Sequence, residues 1–159
     1  MQTVTILCVG KLKDPFYADA SAEYCKRLGA FCRVTVREIP AASLPEDPAD
    51  ALIERALRQE GEKLLKAIPG GDTVVALCVE GKLYDSPEVA GLLTRAASRG
   101  SGVTFIIGGS YGLHDDVKKR ADARLSMSRM TFPHRLARVM LLEQIYRGYM
   151  IASGRQYHK

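Results

Sequence analysis

An α/β fold, with a mostly parallel sheet and helices on both faces, is the architecture this sequence predicts. Three observations carry it. Short β-branched apolar runs alternate with longer helical segments, the pattern of strand–helix–strand units. One run, Thr73 to Val79, is too continuously apolar to have a wet face, which predicts a central place in a parallel sheet. Glycine or proline punctuates nearly every segment end. The 159 residues show no linker, repeat or low-complexity stretch, so residues 1–159 read as one domain.

Taken in order, Val4 to Val9 is an apolar strand ended by Gly10. Asp14-Pro15 supplies an N-cap and first-turn proline. Phe16, Ala20, Tyr24 and Leu28 then recur at helical spacing up to Gly29. Val34 to Ile39 is a second strand, stopped by Pro40, and Ala41 to Pro48 is a surface loop and the most mobile segment. Leu52, Ala56, Leu57, Leu64, Leu65 and Ile68 stripe a helix from Asp50 to Ile68. The strand Thr73 to Val79 leaves through Glu80-Gly81-Lys82, and Ser86-Pro87-Glu88 caps the next helix. Val103 to Ile107 is the fourth strand. A short helix, Leu113 to Ala121, follows, then a short strand, Leu125 to Ser128, and a last helix from about Pro133 to about Ser153.

Composition narrows the function classes. No apolar run approaches the ~20 residues that cross a bilayer. The N-terminus lacks the basic lead of a secretory signal, so a cytoplasmic protein without membrane contact is expected. Cys8, Cys25, Cys32 and Cys78 have neither C-x-x-C spacing nor a nearby histidine, which predicts reduced thiols and no metal. The net charge of +5 is unevenly spread. Residues 113–159 hold ten basic against four acidic side chains, and residues 1–112 hold thirteen against fourteen. A basic C-terminal third suits a polyanion such as RNA, or is simply a solvated basic face.

Two strand exits could hold a small ligand. Gly108-Gly109-Ser110-Tyr111-Gly112 lets a ligand approach the backbone closely, and by itself is equally a tight turn. Its spacing is not G-x-G-x-x-G and no acid follows at about +20, against a dinucleotide site. Met127 to Pro133 offers two hydroxyls and three apolar side chains, either as walls for a planar base or as core packing at a helix entry. The last helix is apolar on most faces, so it is either central within one chain or the contact of a homodimer. The tail, Gly154 to Lys159, is either a fraying end or the piece that completes a site with its arginine, tyrosine and histidine.

Taken together, Val9-Gly10-Lys11-Leu12-Lys13, Ile107-Gly108-Gly109-Ser110-x-Gly112-Leu113, Met130-Thr131-Phe132-Pro133-His134 and Tyr157-His158-Lys159 resemble, in order and spacing, the RlmH family. These are the bacterial 23S rRNA pseudouridine N3-methyltransferases of the SPOUT superfamily. Tyr111 departs from the small, acidic or amide residue expected there. The resemblance implies a SPOUT-type sheet with a C-terminal trefoil knot, a homodimer, and S-adenosyl-L-methionine as cofactor. It places the cofactor against Leu77, Gly108, Met127, Ser128, Arg129, Met130, Thr131 and Phe132. Its substrate is the pseudouridine in the helix 69 loop of the 23S rRNA on the assembled ribosome. On that footing His158 is the first candidate for proton acceptor, with Tyr157 stacking, and His134 the second. Arg135, Arg138, Arg147, Arg155 and Lys159 are expected on rRNA phosphates. A ribosome-binding factor without catalysis is the alternative; it should ignore the methyl donor.

Overall fold

The computed structural model describes residues 1–156. The chain runs β1 (Thr3–Val9), α1 (Pro15–Leu28), β2 (Arg33–Ile39), α2 (Asp50–Ala67), β3 (Thr73–Leu83), α3 (Ser86–Ser98), β4 (Val103–Ile107), α4 (Asp115–Arg120), β5 (Ala123–Ser126) and α5 (His134–Ala152). The five strands form one sheet in the order β2-β1-β4-β3-β5, and every pairing is parallel.

Alternation along each strand feeds two cores, because successive side chains point to opposite faces. Val4, Ile6, Cys8, Val75, Val103, Phe105 and Ile107 meet Leu28 of α1, Leu93 of α3, and Leu141, Leu142 and Ile145 of α5. Leu7, Val9, Val74, Ala76 and Ile106 meet Leu64 of α2 and Leu113 and Val117 around α4. Helices therefore cover both faces, which is why the strands can be apolar on both sides. Two helix glycines mark close approaches: a Cβ at Gly148 would press on Leu93 and Ala90 of α3, and one at Gly61 on His114 and Val117.

Several local expectations shift. The central strand is β4, while β3 lies one place further out. β3 also runs past Val79 to Leu83, because Leu77 and Lys82 both pair with Leu125 and the residues between them detour. β5 begins earlier, at Ala123, since Asp122 opens the pairing by exchanging two 2.8 Å hydrogen bonds with Val74, one of them through its carboxylate. α4 begins at Asp115, where the His114 ring accepts the Asp116 N–H. α3 is capped by Asp85 rather than Ser86. Asp85 and Glu88 form a reciprocal capping box, a device worth about 1 kcal/mol. In α1, Phe16 is 65% exposed, and the inward face is set by Ser21, Tyr24, Cys25 and Leu28. Asp14 sits at the N-cap of α1 but makes no cap bond; its carboxylate pairs instead with Arg135 of α5 at 2.9 Å. All four cysteines are free: Cys8 and Cys32 are buried, Cys25 and Cys78 half-buried.

Candidate active site

A cavity of about 830 Å³ opens at the C-terminal ends of β3, β4 and β5, the end where parallel α/β sheets bind ligands. Three chain segments build it. The first is the β3 detour, which carries Leu77, Cys78, Val79 and Glu80 onto the wall. The detour needs Gly81, because a Cβ there would lie 2.8 Å from the Arg124 backbone. The second is the turn at residues 108–112, closed by a Gly112 N–H to Gly109 carbonyl bond of 3.1 Å. A Cβ on Gly108 would strike the Gly112 backbone, and Gly112 itself has φ +82°. The third is the exit from β5. There the buried Ser126 hydroxyl donates to the Ser128 carbonyl at 2.9 Å, and the Ser128 hydroxyl accepts the Met130 N–H at 3.0 Å. The serines thus hold the loop's shape, and the Ser128 proton is still available to donate.

Leu77, Gly108, Met127, Ser128, Met130, Thr131 and Phe132 all line this one cavity. Arg129 is exposed and is not on the wall. Leu77 is half-buried, packing on the core with one side and facing the cavity with another. Sequence reasoning passed over Cys78, Val79 and Glu80; the one signal available was Gly81 inside a strand, which marks irregularity or close backbone approach. It also passed over Lys118, which reaches from α4 to pair with Glu80 at the lip. That contact, led by the lysine's hydrogen bond, holds the Glu80 carboxyl below its ordinary range.

The arginines divide. Arg135 lines the cavity, donates to Asp14, and buries its Nε without a partner among the described residues. Arg138 is corrected: it is 4% exposed and fully inside the fold, so it cannot reach an RNA phosphate. It donates to Glu38 at 2.7 Å and to the Gly10 carbonyl at 3.1 Å. Arg147 lies along α5 against Glu143 at 3.0 Å. Arg155 is exposed, its guanidinium 5.5 Å from the centre of the Phe31 ring. Tyr157, His158 and Lys159 lie outside the described residues.

Electrostatics around the start of α5 are set by Arg138. Burial pushes Glu38 up, but the hydrogen bonds from Arg138 and the Leu12 N–H and the nearby positive charges outweigh it and hold the carboxyl low. Burial raises the neighbouring Cys8 thiol to about 12, which makes it inert. His134 is pushed down, first by burial and then by the charges of Arg135 and Arg138, so its imidazole is neutral at physiological pH.

The volume and chemistry fit a methyl donor of nucleoside size: apolar walls for a base, close-approaching backbone, and few charged groups. The chain belongs to the SPOUT methyltransferase family; residues 1–158 match the family described as "Predicted SPOUT methyltransferase". It is 48% identical over 156 residues to the protein named Ribosomal RNA large subunit methyltransferase H from Pelotomaculum thermopropionicum, covering 98% of each chain. Solved structures share the fold. One is described as "Probable Methyltransferase from Bordetella pertussis Tohama I", with a TM-score of 0.59 at 18% identity over 93% of this chain and 95% of that one. Another, described as a "probable methylase family protein from Haemophilus influenzae Rd KW20", has a TM-score of 0.54 at 11% identity over 98% of this chain and 70% of that one.

Proposed function

We propose that this methyltransferase moves the methyl group of S-adenosyl-L-methionine to N3 of a pseudouridine in large-subunit ribosomal RNA, the helix 69 loop of the 23S rRNA. The observation that carries the reading is the meeting of Leu77, Gly108 and, from the Met127–Phe132 run, every residue but Arg129 on one cavity at the sheet's C-terminal end. The donor supplies an electrophilic methyl on a sulfonium, so the protein's task is alignment more than activation. The turn at residues 108–112 offers backbone to the ligand, while Met127 and Leu77 give it apolar walls. A C-terminal trefoil knot belongs to the same reading. The chain must also accept the N3 proton, since neutral N3 has no free lone pair. His158 takes that proton and Tyr157 stacks on the base; Arg135, Arg155 and Lys159 hold phosphates, with Arg147 further along α5.

The test has two parts. Calorimetry with S-adenosyl-L-methionine should show binding, and mass mapping of rRNA from cells lacking the protein should show one N3 methyl missing. Truncation after Gln156 should spare donor binding and slow transfer by about 100-fold, the usual worth of a proton acceptor. Undiminished turnover would remove the tail from the chemistry. We also propose a homodimer through α5. Its inner stripe of Arg138, Leu141, Leu142, Ile145 and Gly148 is buried in its own chain, while Leu136, Val139, Met140 and Ile151 stay partly or fully exposed. Sedimentation equilibrium at micromolar concentration should give twice the chain mass of 17.4 kDa; a monomer there refutes the pairing.

A further inference from the structure

Methyl transfer needs the acceptor atom in line with the donor, so the acceptor site must open onto the donor cavity. Besides that cavity, two others of about 500 and 410 Å³ lie nearby among the described residues. The smaller, between α2 and α4, shares no residue with the donor cavity and sets Glu54, Glu62, Asp115 and Asp116 against Arg58 and Lys119, a net negative lining that does not favour RNA. The larger shares a wall with it, made by Gly109, Ser110, Tyr111, His134 and Arg135.

The larger cavity has the features a nucleotide needs. Ala42, Ile53 and Leu57 give it an apolar side. Lys11 and Lys13, both exposed, stand on its β1 side, and Arg135 stands on the shared wall. Its carboxylate, Glu60, is buried and turned to the Ala42 N–H at 2.9 Å, and burial raises it toward the neutral form. Tyr111 lies on both cavities with half its surface exposed, and an aromatic ring placed there is the kind of group on which a base stacks. His134 Nε2 faces Gly10, 4.0 Å from where a Cβ would stand, and the ring makes no hydrogen bond with another described residue. Both rims are fixed from beneath: Arg138 and Glu38 tie down Gly10 and Leu12, and Glu60 ties down Ala42.

We propose that this second cavity receives the acceptor nucleotide, a pyrimidine swung out of its RNA strand. Tyr111 lies against the base face, His134 meets its hydrogen-bonding edge as a positioning residue, and Lys11 and Lys13 take the adjoining phosphates. The proposal rests on the RNA-methylation reading above and adds where the substrate sits. It also gives Tyr111, the departure from the family pattern, a task.

The test uses the full chain, S-adenosyl-L-methionine for binding, and ribosomes lacking the N3 mark as methyl acceptor. Ala42→Phe, which fills the second cavity from its far side, should leave donor affinity unchanged and lower transfer at least about thirtyfold. Lys11→Glu/Lys13→Glu changes only exposed side chains. It should raise KM for ribosomes about tenfold or more at unchanged donor affinity and flatten the salt dependence. Parental kinetics in the double-lysine variant overturn the proposal, as does parental transfer by Ala42→Phe. Should Ala42→Phe lose donor binding through misfolding, the lysine pair decides alone. A parent chain that neither binds the donor nor methylates ribosomes would instead refute the underlying reading.

Discussion

Gly108→Leu is expected to lose measurable affinity for S-adenosyl-L-methionine, a fall of more than about 100-fold, or about 2.7 kcal/mol. The cause is a collision with backbone. A Cβ at this position meets the carbonyl of Gly112, and no side-chain rotation can relieve that. The turn must open, and the cavity proposed for the donor loses its β4 wall. Gly112→Ala in the same turn is the control. Its Cβ meets nothing within 4 Å, so it suffers only the strain of φ +82°, about 1 kcal/mol. Donor binding should therefore survive Gly112→Ala with a modest loss and fail in Gly108→Leu. Calorimetry reads both, and thermal unfolding confirms that each variant is folded. Parental affinity in Gly108→Leu would take this turn out of the donor site.

Glu38→Ala should lower unfolding free energy by about 3 kcal/mol, at the low end for breaking a buried ion pair. Removing the acid leaves the buried Arg138 with no counter-charge, only the Gly10 carbonyl and the Cys8 thiol remaining beside it among the described residues. Arg138→Met should cost less, about 1–2 kcal/mol, because the surviving carboxylate is a third exposed and can turn to water. The asymmetry is the informative part, and urea titration of both variants measures it. Equal losses would mean that the pair is solvated on both sides. The sign with pH follows from Glu38 being held low in the fold. Its contribution is complete above the ordinary carboxylate range and is lost as pH falls through the depressed value.

Local patterns in the sequence located all ten elements, and chemistry at two strand exits pointed to segments that line the 830 Å³ cavity. Gly108 and the Met127–Phe132 run announced themselves through turn residues and hydroxyls, which depend only on near neighbours. Contacts between distant segments were not legible. Arg138 follows Arg135 by three residues and reads as a second surface cation; its partner, Glu38, is 100 residues away. A hint existed, because Arg138 occupies the same helical stripe as Leu141, Leu142 and Ile145. Asp14 had the residue type and place of a helix cap, but Arg135 drew its carboxylate away. The β3 detour left only Gly81 as a local mark, because its cause is pairing with β5, more than forty residues on. The second cavity joins segments near residues 10, 42 and 134, and no local signal unites them.

The strand order has a consequence for biosynthesis. β4 is the seam between two halves: β1 pairs with it through Val4–Val103 and Cys8–Ile107, and β3 pairs with it on the other side. Until residue 107 emerges, the nascent chain holds a β1–β2 pair and a lone β3 with nothing to join them. Assembly is thus postponed until two thirds of the polypeptide has been made, and such long sequence separations slow folding. Fragments ending before β4 leave apolar β1 and β3 without the strand that joins them, so they are expected not to fold on their own.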